Sequence, residues 1–276
     1  MDEKPRSPIL ELKGISKRFG AVQALNNVDF EVFSGEVVAL VGDNGAGKST
    51  LVKCISGINT VDSGEIFFEG KPVEICGPKD TAQLGIETVY QDLALCDNLD
   101  VVANLYLGRE EISPILSGAV HSLNEVIMEK RSIDTLKTLS VKIPSVRSVV
   151  ASLSGGQRQS VAVARAVMWN SKVVLLDEPT AALGVAQTRM VLDLIKNLRQ
   201  QGLGVVVISH NLVDVFDVAD RIIVLRLGRR VGTYITKNTR SDQIVGAITG
   251  AEFGEVEEVT NDNGNKEGSA DEHHVG

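Results

Sequence analysis

Short apolar runs, separated by turn residues, set the plan of this chain. Glu36-Val37-Val38-Ala39-Leu40-Val41 enters a glycine-rich turn. Lys48 to Ser56 then carries helical spacing through Leu51 and Ile55, and Gly57 marks the stop. Lys172 to Asp177 and Gly204 to Ser209 are apolar runs of the kind expected of parallel strands buried on both faces. The helical spacing of Val185 to Gln200 between them completes a strand–helix–strand crossover. Ile86 to Tyr90 reads as a further strand. Glu65 to Glu69 and Val73 to Ile75 flank Gly70-Lys71-Pro72, a hairpin signal, and residues 221–226 and 230–235 form a closing hairpin. From about Asp100 to Leu139 the pattern turns helical, interrupted at Pro114, and residues 154–170 form an Ala/Val-rich helix. The expectation is an α/β domain with a mostly parallel sheet, an antiparallel β-part and a largely helical insertion between Gln91 and Val150.

Charge separates the body from its end. The net charge is −8. Residues 255–276 carry seven acids and one lysine, so −6 of that total belongs to the end and the body is near neutral. Residues 253–276 are expected to be a disordered acidic tail, His273-His274 included, and residues 1–8 a flexible leader. The near-neutral body offers no clustered Lys and Arg to displace counterions, which argues against nucleic acid as a partner. At 43% hydrophobic residues the chain can bury a sizeable core. Its longest apolar runs, such as Val205-Val206-Val207-Ile208, are far shorter than the roughly 18 residues of a membrane span. The charged start has no apolar stretch of a secretory signal, so a cytosolic protein is expected. Cys54, Cys76 and Cys96 have neither metal-ligand nor redox spacing and read as free, buried or half-buried thiols.

The candidate chemistry begins at Gly42-Asp43-Asn44-Gly45-Ala46-Gly47-Lys48-Ser49, which fits a phosphate-binding loop. Glycines let backbone N–H groups turn inward as an anion-binding nest, and the following helix points its positive end at the same place. Lys48 supplies a point charge for β- and γ-phosphates, and Ser49 a hydroxyl for Mg²⁺. Thr50 closes the segment. Val173-Val174-Leu175-Leu176-Asp177-Glu178 is an apolar strand ending in two acids, where an open parallel sheet binds its ligands. Asp177 is placed to hold Mg²⁺, and Glu178 to polarise an attacking water as a general base.

Leu153-Ser154-Gly155-Gly156-Gln157 lies between these two elements and matches the signature motif of ABC (ATP-binding cassette) ATPases. On these motifs the chain resembles that family over roughly residues 9–250. The resemblance implies an ABC-type P-loop NTPase fold over residues 9–252, with a helical subdomain inserted at about 92–165. It implies that Gln91 contacts Mg²⁺ and the attacking water and links to membrane subunits, and that His210 contacts the γ-phosphate. It puts Phe19 where an aromatic stacks on adenine, although a Phe there could equally pack in the core. It also implies that Ser154, Gly155, Gly156 and Gln157 cap ATP held by a second copy, two ATP molecules being sandwiched in a C₂ dimer.

Ala181-Ala182-Leu183-Gly184 departs from the family's usual Ala-Leu-Asp, with Gly184 at the Asp position. That departure and Asn104-Leu105-Tyr106-Leu107-Gly108-Arg109-Glu110 resemble the cassettes of bacterial simple-sugar importers of the ribose, xylose and fructose type. The implied protein is the peripheral ATPase on the cytoplasmic face of the inner membrane. It would drive a permease that receives its sugar from an extracytoplasmic binding protein. Leu93, Leu95, Leu99, Leu105 and Tyr106 could form a groove for a coupling helix of the permease, or fill the insertion's own core. An export cassette and a soluble ABC protein of DNA repair or translation are the other classes; the chain lacks the coiled-coil, zinc or basic-linker insertions of the latter.

Overall fold

The computed structural model describes residues 7–115 and 120–251. The acidic tail, with His273-His274, and nearly all of the leader lie outside the described residues. The chain opens with β1 (Leu10–Phe19), β2 (Val22–Val32) and β3 (Glu36–Val41), followed by α1 (Lys48–Ile55), β4 (Ser63–Phe68), β5 (Lys71–Val73), α2 (Pro78–Leu84) and β6 (Ile86–Val89). Next come α3 (Val101–Tyr106), β7 (Ile112–Ile115), β8 (Val120–Leu123), α4 (Glu125–Thr138) and α5 (Gly155–Val167). The last part holds β9 (Val173–Asp177), α6 (Val185–Gln200), β10 (Gly204–Ile208), α7 (Leu212–Val218), β11 (Arg221–Arg226), β12 (Arg229–Ile235) and α8 (Ser241–Thr249).

A six-stranded sheet in the order β12-β11-β3-β10-β9-β6 is parallel except for β12 at its edge. Its apolar runs divide their side chains between two cores. Val37, Ala39, Val41, Val174, Leu176, Val205 and Val207 face the core that also holds the buried stripes of α5 and α6. Val38, Leu40, Val173, Leu175, Val206 and Ile208 face α1 and the antiparallel sheet β2-β1-β4-β5. Burial on both faces is why these strands read as continuous apolar runs. Truncating one such side chain, as in Leu175→Ala, costs about 2–5 kcal/mol. Arg221 joins the two sheets: its Nε lies 2.5 Å from Glu36 Oε1 on β3, and Nη1 lies 2.8 Å from Glu31 Oε1 on β2.

Three local readings are corrected. The predicted hairpin around Gly70-Lys71-Pro72 turns one step earlier, at Glu69-Gly70, and Lys71 and Pro72 belong to β5. Glu69 and Gly70 both take positive φ, which places the turn there (51° and 75°). The predicted helical stretch from Asp100 to Leu139 is split by the β7–β8 hairpin, with Pro114 paired to His121 inside it instead of merely interrupting a helix. Strands β1 and β2 were not anticipated. Their alternation breaks where the register shifts between Leu12 and Ile15, and Gly14 takes φ +63° in that gap. Cys54 is buried and Cys96 half-buried, but Cys76 is exposed, in the turn where Asp80 Oδ2 accepts its backbone N–H at 2.9 Å.

Candidate functional site

The loop after β3 is shaped by what surrounds it. Gly42 takes φ +151°, and a Cβ there would lie 2.2 Å from the carbonyl oxygen of Leu225 on β11. Gly47 takes φ +105°, and a Cβ there would lie 2.7 Å from the Ala24 carbonyl oxygen. Only glycine lets the backbone pass this close to its neighbours. The Leu227-Gly228 turn of the β11–β12 hairpin braces the loop from behind, with Gly228 N–H donating to Ala46 O at 3.0 Å. Lys48 opens α1, and its ammonium donates to the carbonyl oxygens of Gly42 (2.7 Å) and Asp43 (3.0 Å), so the charge sits within the arch of the loop. Asp43, Asn44, Gly45 and Ser49 are exposed, Thr50 is half-buried and Ala46 is buried.

The sheet order brings the remaining candidates to the same edge. In the row β3-β10-β9-β6 the carboxyl ends run level: Leu40 pairs with Ile208, Ile208 with Asp177, and Leu176 with Val89. Four loops therefore leave one edge side by side, strands being about 4.8 Å apart. They carry the phosphate loop, Ser209-His210, Asp177-Glu178 and Gln91. Gln91, Asp177 and Lys53 line one cleft. Burial, and then the neighbouring Glu178 carboxylate, push the Asp177 carboxyl above its ordinary range, against the opposing pull of Lys48 and Lys53. Glu178 takes φ +50°, and its N–H donates to Ile208 O at 2.9 Å. His210 Nδ1 lies 2.9 Å from Glu178 Oε1.

Ser154 caps α5: its Oγ accepts from Gln157 N at 3.3 Å, while Gln157 Oε1 accepts from Ser154 N at 2.9 Å. This leaves an exposed helix start. Gly155 and Gly156 have a packing role as well as a backbone one. A Cβ on Gly155 would lie 2.9 Å from Leu183 Cδ2, and one on Gly156 3.0 Å from Gln187 Cβ, so the glycines let α5 approach the start of α6. The neighbours that these contacts name for residues 154–157 do not include the phosphate loop. Gly184 is the N-cap of α6 with ordinary φ −73° and open space where a Cβ would stand, so no backbone requirement explains glycine there. Phe19 is 47% exposed at the end of β1, which removes the core-packing alternative, and Lys17 Nζ sits 5.6 Å from its ring centroid. Leu105 and Tyr106 are fully buried in the core that also takes one face of the six-stranded sheet and cannot form a docking groove, whereas Leu93 and Leu95 pack at its margin.

The donors available for Mg²⁺ are hard oxygens: the Ser49 hydroxyl, the Asp177 carboxylate and the Gln91 amide. Among the described residues there is no cluster of three or more His, Cys, Asp or Glu that could hold a metal. This set fits Mg²⁺, which is held by one or two protein ligands together with phosphate oxygens and water. Lys53, which lines the cleft with Gln91, was not anticipated from sequence, nor was Arg165 of α5. A lone surface lysine and an arginine in a helix carry no positional signal of their own.

A glycine-shaped anion loop at the carboxyl edge of a parallel sheet, flanked by paired acids, defines a P-loop nucleotide-binding protein. The ABC transporter family model matches residues 25–181, and the chain belongs to that family. It is 49% identical to the fructose import ATP-binding protein FrcA of Rhizobium meliloti, over 89% of this chain and 95% of that protein. It is 47% identical to the xylose/arabinose import ATP-binding protein XylG of Sulfolobus acidocaldarius, over 91% and 97%. It spans 46% of the ribose import ATP-binding protein RbsA of Yersinia pestis, at 40% identity over 88% of this chain. The fold is similar to a solved ATP-binding cassette of an ABC transporter in its ADP conformation, with TM-score 0.75, 27% identity and coverage of 88% of this chain and 99% of that one. It is also similar to a dimeric cassette in a post-hydrolysis state bound to ADP and phosphate, with TM-score 0.67, 26% identity and coverage of 82% and 98%. Among the described residues no helix is long and apolar enough to cross a membrane.

Proposed function

We propose that this chain is the ATP-hydrolysing, energy-coupling subunit of an importer for a monosaccharide. The observation that carries the ATPase reading is the level row of strand ends, which gathers Lys48, His210, Asp177-Glu178 and Gln91 along one edge. The phosphate loop and Lys48 hold the β- and γ-phosphates of ATP, and Phe19 offers an exposed face for the base. Asp177, Ser49 and Gln91 would hold Mg²⁺, which when bound neutralises charge on the β- and γ-oxygens. Glu178 takes a proton from water as its oxygen bonds to the γ-phosphorus. The bond from that phosphorus to the β–γ bridging oxygen breaks, giving ADP and phosphate. His210, beside Glu178, orients this carboxylate and meets the γ-phosphate.

Ser154–Gln157 close over ATP held by a second copy, a reading supported by the exposed start of α5 at Ser154 and Gly155 and by the dimeric relative. The cassette spans residues 9–252 with the insertion at about 92–165, and the chain works as a homodimer on the cytoplasmic face of membrane permease subunits. An extracytoplasmic binding protein delivers the solute. The fructose and xylose/arabinose import relatives support a monosaccharide. Reconstitution with its permease and binding protein in vesicles tests this reading. Sugar uptake should require ATP and stop in Glu178→Gln. Association with ribosomes or DNA in place of membranes would overturn it.

A further inference from the structure

The segment after Gln91 is bent in a way its residues do not favour. Leu93 and Ala94, neither of them glycine, both take left-handed backbone conformations, with φ +57° and +46°. Such a pair persists only where the surroundings hold it. Within the bend Leu93 N–H donates to Tyr90 O at 2.9 Å and Ala94 N–H to Asp92 O at 2.7 Å, and the contact from outside comes from Arg165, near the end of α5, the same helix that Ser154 caps. Its Nη1 donates to Ala94 O at 2.7 Å and its Nη2 to Leu93 O at 2.9 Å. The planar fork thus spans two consecutive carbonyls. Arg165 is half-buried, and among the described residues no carboxylate lies within ion-pair distance of it. Withdrawing a cation from water is costly unless hydrogen bonds or charges offset it, and here two backbone carbonyls accept from it while Glu87 attracts it from beyond ion-pair distance. Beyond the bend, buried Asn104 accepts from Cys96 N–H at 2.7 Å and donates to Cys96 O and Asp100 O. On its other side Gln91 stands between β6 and the bend, two residues before Leu93, and lines one cleft with Asp177.

We infer that Arg165 is a positioning residue for hydrolysis: it clamps the Leu93–Ala94 bend and so ties the signature helix α5 to the placement of Gln91 in the Asp177 cleft. This rests on the role for Gln91 given above. The clamp links the helix that meets one nucleotide to the loop that attends the other, so a shift of α5 moves Gln91.

The test uses the full chain with Arg165→Lys, Gln91→Ala and the double variant. Lysine keeps the charge and loses the fork. Arg165→Lys should lower kcat about tenfold to a hundredfold, the scale of a misplaced catalytic group, with KM for ATP little changed. In the Gln91→Ala background it should add no further loss. Hydrogen exchange should quicken at residues 91–97 and stay unchanged at 173–177. Independent losses in the double variant, or unchanged exchange at 91–97, would overturn the inference. Normal turnover of Gln91→Ala would instead remove the role given to Gln91, and with it the route from Arg165 to hydrolysis. The exchange result would still decide whether the guanidinium holds the bend.

Discussion

His210 Nδ1 lies 2.9 Å from Glu178 Oε1, the imidazole exposed and the carboxylate largely buried beside it. The two residues come from neighbouring strand ends, and Glu178 is turned toward this contact by a left-handed backbone. A carboxylate held at fixed orientation is ready to take a proton from water. Glu178→Gln preserves the shape and removes the base. It should keep ATP binding and lower kcat by roughly 10²–10⁴-fold, the usual scale for a general base. Single-turnover hydrolysis beside a nucleotide-binding titration checks this. Near-normal hydrolysis would defeat the assignment.

Asp177 gives a pH-dependent prediction. Burial and then Glu178 raise its carboxyl above the ordinary range, so the folded protein holds this proton more tightly than the unfolded chain. That contribution to stability is fully present below the unfolded pKa and is lost as pH rises through the folded one. At pH 7–8, without nucleotide or Mg²⁺, Asp177→Asn should therefore be the more stable protein. The gain should be about 1 kcal/mol, or roughly 2–4 °C in Tm. The difference should shrink as pH falls through the raised folded pKa and vanish below the ordinary carboxylate range, where Asp177 is protonated in the folded and unfolded chain alike. Melting curves across pH measure it. A variant that melts lower at pH 8 would contradict the burial argument.

Glycines of the phosphate loop should not be equivalent. Gly45 takes φ +79° with open space around a Cβ, so Gly45→Ala pays only for the left-handed backbone, about 1–2 kcal/mol. Gly42→Ala adds a clash with the Leu225 carbonyl at 2.2 Å, and backbone cannot swing aside as a side chain does. A loss of about 3 kcal/mol or more is expected. Urea unfolding of the two variants should separate them clearly. Equal losses would mean that β11 yields.

What could be read from the sequence follows from what leaves a local trace. The strands buried on both faces announce themselves as Val/Ile/Leu runs, and α6 was bounded at Val185 and Gln200 by its periodicity. The phosphate loop, the Asp177-Glu178 pair and the signature lie on contiguous residues with fixed spacing. The β7–β8 hairpin and β1–β2 were obscured because their alternation is short or broken by a register shift. Arg165 and Lys53 could not be found that way. Their meaning is set by Leu93, Ala94 and Asp177, 71 and 72 residues away for the Arg165 contacts. Nor does a Ser-Gly-Gly run reveal that its glycines make room for Leu183 and Gln187.

Gly184 carries the last prediction. It caps α6 with φ −73°, has open space for a side chain, and provides no side-chain oxygen for the first helical N–H groups. An Asp there can adopt the same backbone and accept one of those N–H groups. Its charge also meets the positive end of α6. Gly184→Asp should therefore stabilise the chain by a few tenths of a kcal/mol. We also expect it to restore a carboxylate able to reach across a dimer, and so to tighten coupling between the two ATP sites. Stability and coupling separate experimentally: urea midpoints report the cap, and the Hill coefficient of ATP hydrolysis reports the second copy. A raised midpoint with an unchanged Hill coefficient would leave the introduced carboxylate a helix cap and nothing more. Since φ at this position suits any residue, the glycine is then a difference in side chain alone.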